Sequence, residues 1–272
     1  MSEVKTTKGG EPVDDLVDPA PADSETPPPA PFRCAVSADL FLRAWAARSP
    51  DKDRPSLSGV FIEPCDEGGA VLTATNGGLL VSIRDPNAIV RGSAIVTLND
   101  LMLRACKHKK SDLDTTERVL LVDNFDGDAI AEAIVAHAWV GPDVSRDNAM
   151  AFFDEPTELV ICRQYDNLIV NVAFPEWRRI IPIYHDTPGA SGACWDARTS
   201  SILAAALTAP GGKVTPLSWF TAPGDPTHTP LLVKPYPFNL LRYDMAFEGF
   251  AIVVPFKSET PCEVPAWAQG RA

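Results

Sequence analysis

The sequence predicts an α+β protein built from a repeated unit, a short helix followed by antiparallel strands. Two observations carry this. Short amphipathic helical stretches recur at a spacing of roughly 60 to 80 residues, the scale of a structural repeat. Each is followed by runs of alternating apolar and polar residues bounded by turn signals, the mark of half-buried strands. Helices this short gain little alone and must lie on a sheet.

Residues 1–31 lie outside this pattern. They hold Glu11, Asp14, Asp15, Asp18, Asp23 and Glu25, then Pro27, Pro28, Pro29 and Pro31. Such a stretch buries too little apolar surface to offset its ordering entropy, so a disordered tail is expected. It is a solubilising linker or an acidic arm that covers a basic surface until another polyanion displaces it.

The first helix is expected from Ala38, with Ser37 or Asp39 as its cap and Pro50 limiting its end. Strands are expected at 57–63, 70–75 and 79–84, the last two joined by Asn76-Gly77-Gly78, a strong hairpin signal. The pattern then restarts. A strand at 94–97 leads to Asn99 and Asp100, which open a second helix, and strands follow at 118–122, 129–140, 158–162 and 167–173. Residues 141–156 are polar and breaker-rich and read as a loop. A third helix is expected over 198–209, ended by Pro210-Gly211-Gly212, with strands at 214–220, 230–234, 240–247 and 250–255. Residues 258–272 read as a loose end.

Composition narrows the function. Of 272 residues, 45% are hydrophobic, enough for a substantial core, and no apolar run reaches the ~18 residues of a membrane span. No secretory signal is visible, so the expected location is cytoplasmic. Cys34, Cys65, Cys106, Cys162, Cys194 and Cys262 show no metal-like or redox-like spacing and read as reduced thiols. A net charge of −12 argues against nonspecific coating of nucleic acid but leaves room for a local basic face. His108, His137, His185 and His228 form no local metal pattern, and there is no glycine-rich phosphate loop or nucleophile turn. Asp100, Asp112 and Asp114 read as surface charges at helix ends rather than a divalent-metal site. No catalytic role or cofactor is called for.

Three segments then carry a family resemblance. Leu57–Glu63 leading through Leu72–Val81, with the Asn76-Gly77-Gly78 turn, is the first. The second is Phe174-Pro175-Glu176-Trp177-Arg178-Arg179-Ile180-Ile181-Pro182, and the third is Phe250–Lys257 with its Val254-Pro255-Phe256 core. Together, and in this order, they resemble the bacterial DNA polymerase III beta subunit, the replicative sliding clamp. The second segment, which looks like the linker between that family's second and third domains, is the most specific.

The resemblance implies a DNA-clamp fold of helix-plus-antiparallel-sheet half-domains. Residues 32–182 look like a whole two-half domain ending in the linker, and 183–257 like one further half. The chain is thus shortened relative to the family, and Gly78 and Leu79 stand where the family has histidine and arginine. The family's peptide-binding groove would carry over to Thr75, Leu80, Pro175, Arg179 and Ile180 on one side. Ile252, Val254, Pro255 and Phe256 would supply the other. The plainer alternative for each is ordinary core or linker packing. The DNA-facing basic residues would be Arg43, Arg48, Arg104, Lys107, Lys109, Lys110, Arg198 and Lys213. Their plainer alternative is solvated helix ends favoured by the helix dipole.

The implied function is a processivity factor: an oligomeric ring around double-stranded DNA, without sequence preference, that tethers a DNA polymerase or other clamp-binding proteins. Four copies of a three-half chain would supply the halves of a ring of this family. The competing expectation is a non-encircling clamp-fold interaction protein that binds clamp-interacting peptides or a host clamp. An enzyme on an unrelated fold is the remote third.

Overall fold

A computed structural model describes residues 31–107, 116–124, 131–139, 160–180, 197–208, 217–221, 230–235 and 248–254. Its helices are α1 (Ala38–Trp45), α2 (Asp100–Cys106) and α3 (Ala197–Leu207). Its strands run in chain order from β1 (Phe32–Ser37), β2 (Val60–Pro64), β3 (Ala70–Thr75) and β4 (Leu79–Asp85) to β5 (Ile89–Arg91) and β6 (Ala94–Val96). Then come β7 (Thr116–Asn124), β8 (Glu132–Trp139), β9 (Val160–Gln164), β10 (Ile169–Val170), β11 (Leu217–Thr221), β12 (Leu231–Pro235) and β13 (Glu248–Val253). The architecture is α+β, with helices and antiparallel sheets.

One sheet has five strands in the order β5-β1-β7-β8-β9, and the other has eight in the order β10-β6-β2-β3-β4-β13-β12-β11. Strict alternation sorts the eight-stranded sheet. Val60, Ile62, Leu72, Ala74, Leu79, Val81, Val233, Ala251 and Val253 face the main core. Phe61, Val71, Leu80, Leu232, Phe250 and Ile252 belong to a second apolar cluster. In a strand successive side chains point to opposite faces, so these are the sheet's two sides. All three helices contribute to the main core, through Phe41 and Ala44, Met102 and Ala105, and Leu203, Ala206 and Leu207. Helices α1 and α3 therefore lie on one side of the sheet and the second cluster on the other, while α2 packs against β7, β8 and β9 of the five-stranded sheet.

Local chemistry fixes the ends. The Asn99 side chain caps α2 by accepting from the Met102 backbone N–H at 2.9 Å. The buried Arg118 guanidinium donates to the Ala105 carbonyl, one of the acceptors a helix C-terminus leaves open. Ser37 sits at the N-cap of α1 but makes no side-chain cap bond. Its backbone N–H instead donates to the buried Asp85 carboxylate at 2.7 Å.

The structure corrects several sequence expectations. The stretch 167–173 is not one strand: only Ile169–Val170 pairs, and Asn167 takes a left-handed φ of 55°. Residues 55–57 form a 3-10 turn rather than the start of β2. Strands β1 and β5 were not expected. The expected loop at 141–156, the strand at 240–247 and both termini lie outside the described residues.

Candidate functional site

Strand β13 pairs antiparallel with β4 from Glu248↔Arg84 to Val253↔Leu79. This joins the sheet strands that follow α3 to those that follow α1. On the face away from the helices the seam sets Leu80 opposite Ile252, and both are almost fully buried. Trp177 packs over them with Leu232. Its indole N–H donates to Glu63 Oε1 at 3.1 Å, and Arg178 donates to Glu63 Oε2 at 2.9 Å. Arg178 also lies over the Trp177 ring, 4.4 Å from its centroid. Phe174 stacks on Phe61 at 4.8 Å with an interplanar angle of 4°. The segment 174–180 is thus fastened across β2, β4 and β13 by apolar contact at one end and a partly buried carboxylate at the other.

The rim is polar and self-satisfied. Thr75 Oγ1 donates to the Leu79 carbonyl at 2.8 Å and accepts from the Gly77 N–H at 3.1 Å. Asn76 Oδ1 accepts from the N–H groups of Gly78 and Leu79, each at 2.9 Å. Gly77 has φ of 94°, a conformation glycine adopts without steric cost. The Val254 N–H donates to the Gly78 carbonyl at 2.9 Å, so the end of β13 is tied to the β3–β4 turn. Val254 itself is 43% exposed.

Of the residues expected in the groove, the structure brings Thr75, Leu80, Ile252 and Val254 together at the seam. Pro175 and Arg179 are exposed on the segment that Trp177 anchors there. Arg179 is ion-paired with Glu176. Ile180 ends the 3-10 helix Trp177–Ile180, and Pro255 and Phe256 lie outside the described residues. Sequence reasoning missed Trp177, Phe61, Phe250, Leu232 and Glu63. Phe61 and Phe250 carried a signal, as large apolar residues at the outward positions of strands whose inward positions were already apolar.

The expected DNA-facing residues divide. Arg43 bonds Asp39 at 2.7 Å and the Thr208 carbonyl, so it ties α1 to the end of α3. Arg48 lies over the Trp45 ring at 4.1 Å. Burial lowers its guanidinium pKa from the ordinary value, Asp100 opposes that shift, and Arg198 adds to it. Arg48 and Arg198 are therefore close enough for their charges to interact. Arg104, Lys107 and Arg198 are exposed, and Lys109, Lys110 and Lys213 lie outside the described residues. Among the described residues no group of three or more His, Cys, Asp or Glu side chains could hold a metal ion, and no helix is long and apolar enough to cross a membrane.

The chain is similar to bacterial sliding clamps. The similarity to a DnaN sliding clamp (DNA polymerase III subunit beta) from Bartonella birtlesii bound to griselimycin has a TM-score of 0.47 at 11% identity, over 83% of this chain and 66% of that one. For the beta subunit of a DNA polymerase from Streptococcus pyogenes the values are 0.39, 11%, 90% and 69%. For the DNA polymerase III beta subunit of Thermotoga maritima they are 0.24, 12%, 84% and 100%. The chain spans just under two thirds of the length of the Bartonella clamp. No family model and no curated protein matches the sequence.

Proposed function

We propose that this protein acts as a sliding-clamp-like factor: an oligomeric ring around duplex DNA that tethers polymerases or repair proteins through an apolar groove. The observation that carries this reading is the β4–β13 seam, which divides two kinds of surface between opposite faces of one sheet. The helix side holds Arg48 and Arg198, with Arg104 and Lys107 carried by α2 on the five-stranded sheet, residue types that contact phosphate without reading sequence. The opposite side holds an apolar floor, Leu80 and Ile252, flanked by Thr75, Val254, Pro175 and Arg179. Apolar anchors with a few polar groups suit capture of a short peptide. In this reading Ile180, Pro255 and Phe256 complete the groove, and Lys109, Lys110 and Lys213 the basic face.

The test uses a fluorescent peptide with two apolar anchors, of the kind polymerases present to clamps, followed by anisotropy. Val254→Glu is the variant of choice, because an exposed residue can be charged without unfolding the sheet. A loss of tenfold or more in affinity, with an unchanged melting temperature, is the expected result. No binding by the unmodified chain, or equal binding by the variant, would falsify the groove. Encirclement is tested separately: a ring stays on nicked circular DNA at high salt and slides off the linearised molecule. Equal retention on both forms would refute it.

One observation favours a second reading, in which the protein binds clamp-interacting peptides or another clamp without encircling DNA. Arg43 is committed to α1–α3 packing, so the basic face has fewer available charges than the sequence offers. Peptide binding with no salt-dependent DNA affinity would select this reading.

A further inference from the structure

Strand β13 delivers the chain to the apolar side of the eight-stranded sheet. Along it Phe250 and Ile252 belong to the second cluster, and Ala251 and Val253 to the main core. By the same alternation Val254 falls on the second-cluster side, where it is 43% exposed. Its N–H donates to the Gly78 carbonyl at 2.9 Å. Residues 255–272 therefore start from a fixed point at the rim of the candidate groove.

The face beside that point is apolar and not fully covered. Phe61, Val71, Phe174 and Phe250 are only partly buried, whereas Leu80 and Ile252 are almost fully so. From β13 through β4 and β3 to β2 the face crosses three strand spacings, ~14 Å. The stretch from Val254 to Trp267 can extend to ~45 Å, so Trp267 has the reach for any part of this face.

Residues 258–272 have the composition of an occupant. Val264 and Trp267 are two apolar anchors, and tryptophan is among the side chains that carry most of the energy when they fill an apolar site. Pro261 and Pro265 restrict the free segment and lower the entropy lost on docking. Glu259 and Glu263 supply its acids. On the folded side, Arg178 and Arg179 have side chains 57% and 80% exposed and keep N–H donors beyond their bonds to Glu63 and Glu176.

We propose, resting on the groove reading above, that residues 258–272 occupy the apolar face of their own chain, with Trp267 as the anchor, and compete there with partner peptides. A segment tethered at the rim of its site meets it at an effective concentration of ~1 mM. Even a weak intrinsic Kd of ~0.1 mM then lowers the apparent affinity for a partner about tenfold. The protein thus carries a competitor that admits partners able to outbind it.

The experiment follows the anisotropy of the fluorescent two-anchor peptide on the full chain and on full-length Trp267→Ala, with a synthetic peptide of residues 258–272 as competitor. Trp267→Ala is expected to bind the probe about tenfold more tightly, with an unchanged circular-dichroism spectrum, and the competitor to displace the probe from it at ~0.1 mM. Equal probe affinity for the two chains overturns the proposal and leaves the groove reading standing, as does a competitor that displaces nothing. Probe binding to neither chain defeats the groove reading and this proposal with it. The gain is expected to be the same at every protein concentration. A gain that grows with concentration means that residues 258–272 fill the groove of a second copy, and overturns the same-chain assignment.

Discussion

Truncating Trp177 to alanine tests whether the 174–180 segment is packed across the seam. The side chain is 6% exposed and contacts Leu80, Leu232 and Ile252. Removing a buried Trp costs about 3–5 kcal/mol. Arg178 covers one ring face and is itself exposed, so the lower end applies and the expected loss is about 3 kcal/mol. Trp177→Phe separates two contributions. It keeps most of the apolar contact and loses the N–H bond to Glu63, which retains Arg178 at 2.9 Å. That loss is about 1 kcal/mol. In a chain of this size the alanine variant should melt roughly 6–10 °C lower. Urea unfolding with an unchanged m-value is the assay, since a changed m would mean altered compactness rather than a lost contact. A loss below about 1 kcal/mol for Trp177→Ala would show that the indole is not buried on this sheet and would refute the reasoning.

Gly69→Ala should be among the most damaging single substitutions. Gly69 has φ of 79°, and an added Cβ would stand 2.1 Å from the Asp85 carbonyl oxygen; the expectation is loss of soluble folded protein, measured by expression and circular dichroism, whereas the open Gly68→Ala site should cost about 1 kcal/mol. Arg104→Gln and Arg198→Gln should each reduce the slope of log affinity against log salt for duplex DNA by about 0.9 while leaving the melting temperature alone; an unchanged slope would remove those side chains from the interface. Burial raises the thiol pKa of Cys34, and pushes that of Cys106 up to about 12 from 9.0. Native-state labelling at pH 8 should therefore modify Cys65 and Cys162 well before Cys34 and Cys106. The same shift sets an alkaline limit. The unfolded Cys106 thiol ionises first, so its contribution to stability is complete below pH 9 and is lost as pH rises towards 12, read as a falling urea midpoint.

Much of the fold was legible from its turn signals. Strands β3 and β4 are almost wholly buried, but they flank an Asn-Gly turn, so sequence placed them within a residue of their observed ends. Strand β1 is as buried as β3, at Phe32, Cys34, Ala35, Val36 and Ser37, but it runs straight into α1 with no hairpin turn to mark it. Strand β5 is too short for a period to register. Asn167 looked like part of a strand, and its left-handed turn is set by tertiary contacts, since Thr97 donates to its carbonyl. At the candidate site, the resemblance placed Leu80, Ile252 and Val254 near one another. The tryptophan that covers them stood in the linker segment but was not assigned to the groove, because its partner, Glu63, is distant in sequence. Arg43 illustrates the same limit: a helix-end arginine reads as a solvent-facing charge until the Thr208 carbonyl is seen beside it.

The β4–β13 pairing has a consequence for how the chain is made. Leu80 leaves the ribosome about 170 residues before its partner Ile252, an interval of roughly 10 to 30 s at ordinary elongation rates. From about the midpoint of it, once β10 is made, the α1 and α2 units can collapse with their own pairings complete, while β4 remains an unpaired edge beside an apolar outer face. Folding would then end with a slow, long-range docking step, and the nascent chain would be most vulnerable to association with its neighbours just before synthesis of β13. A ribosome-bound chain stalled before Glu248 should accordingly pull down folding helpers that the finished chain no longer holds.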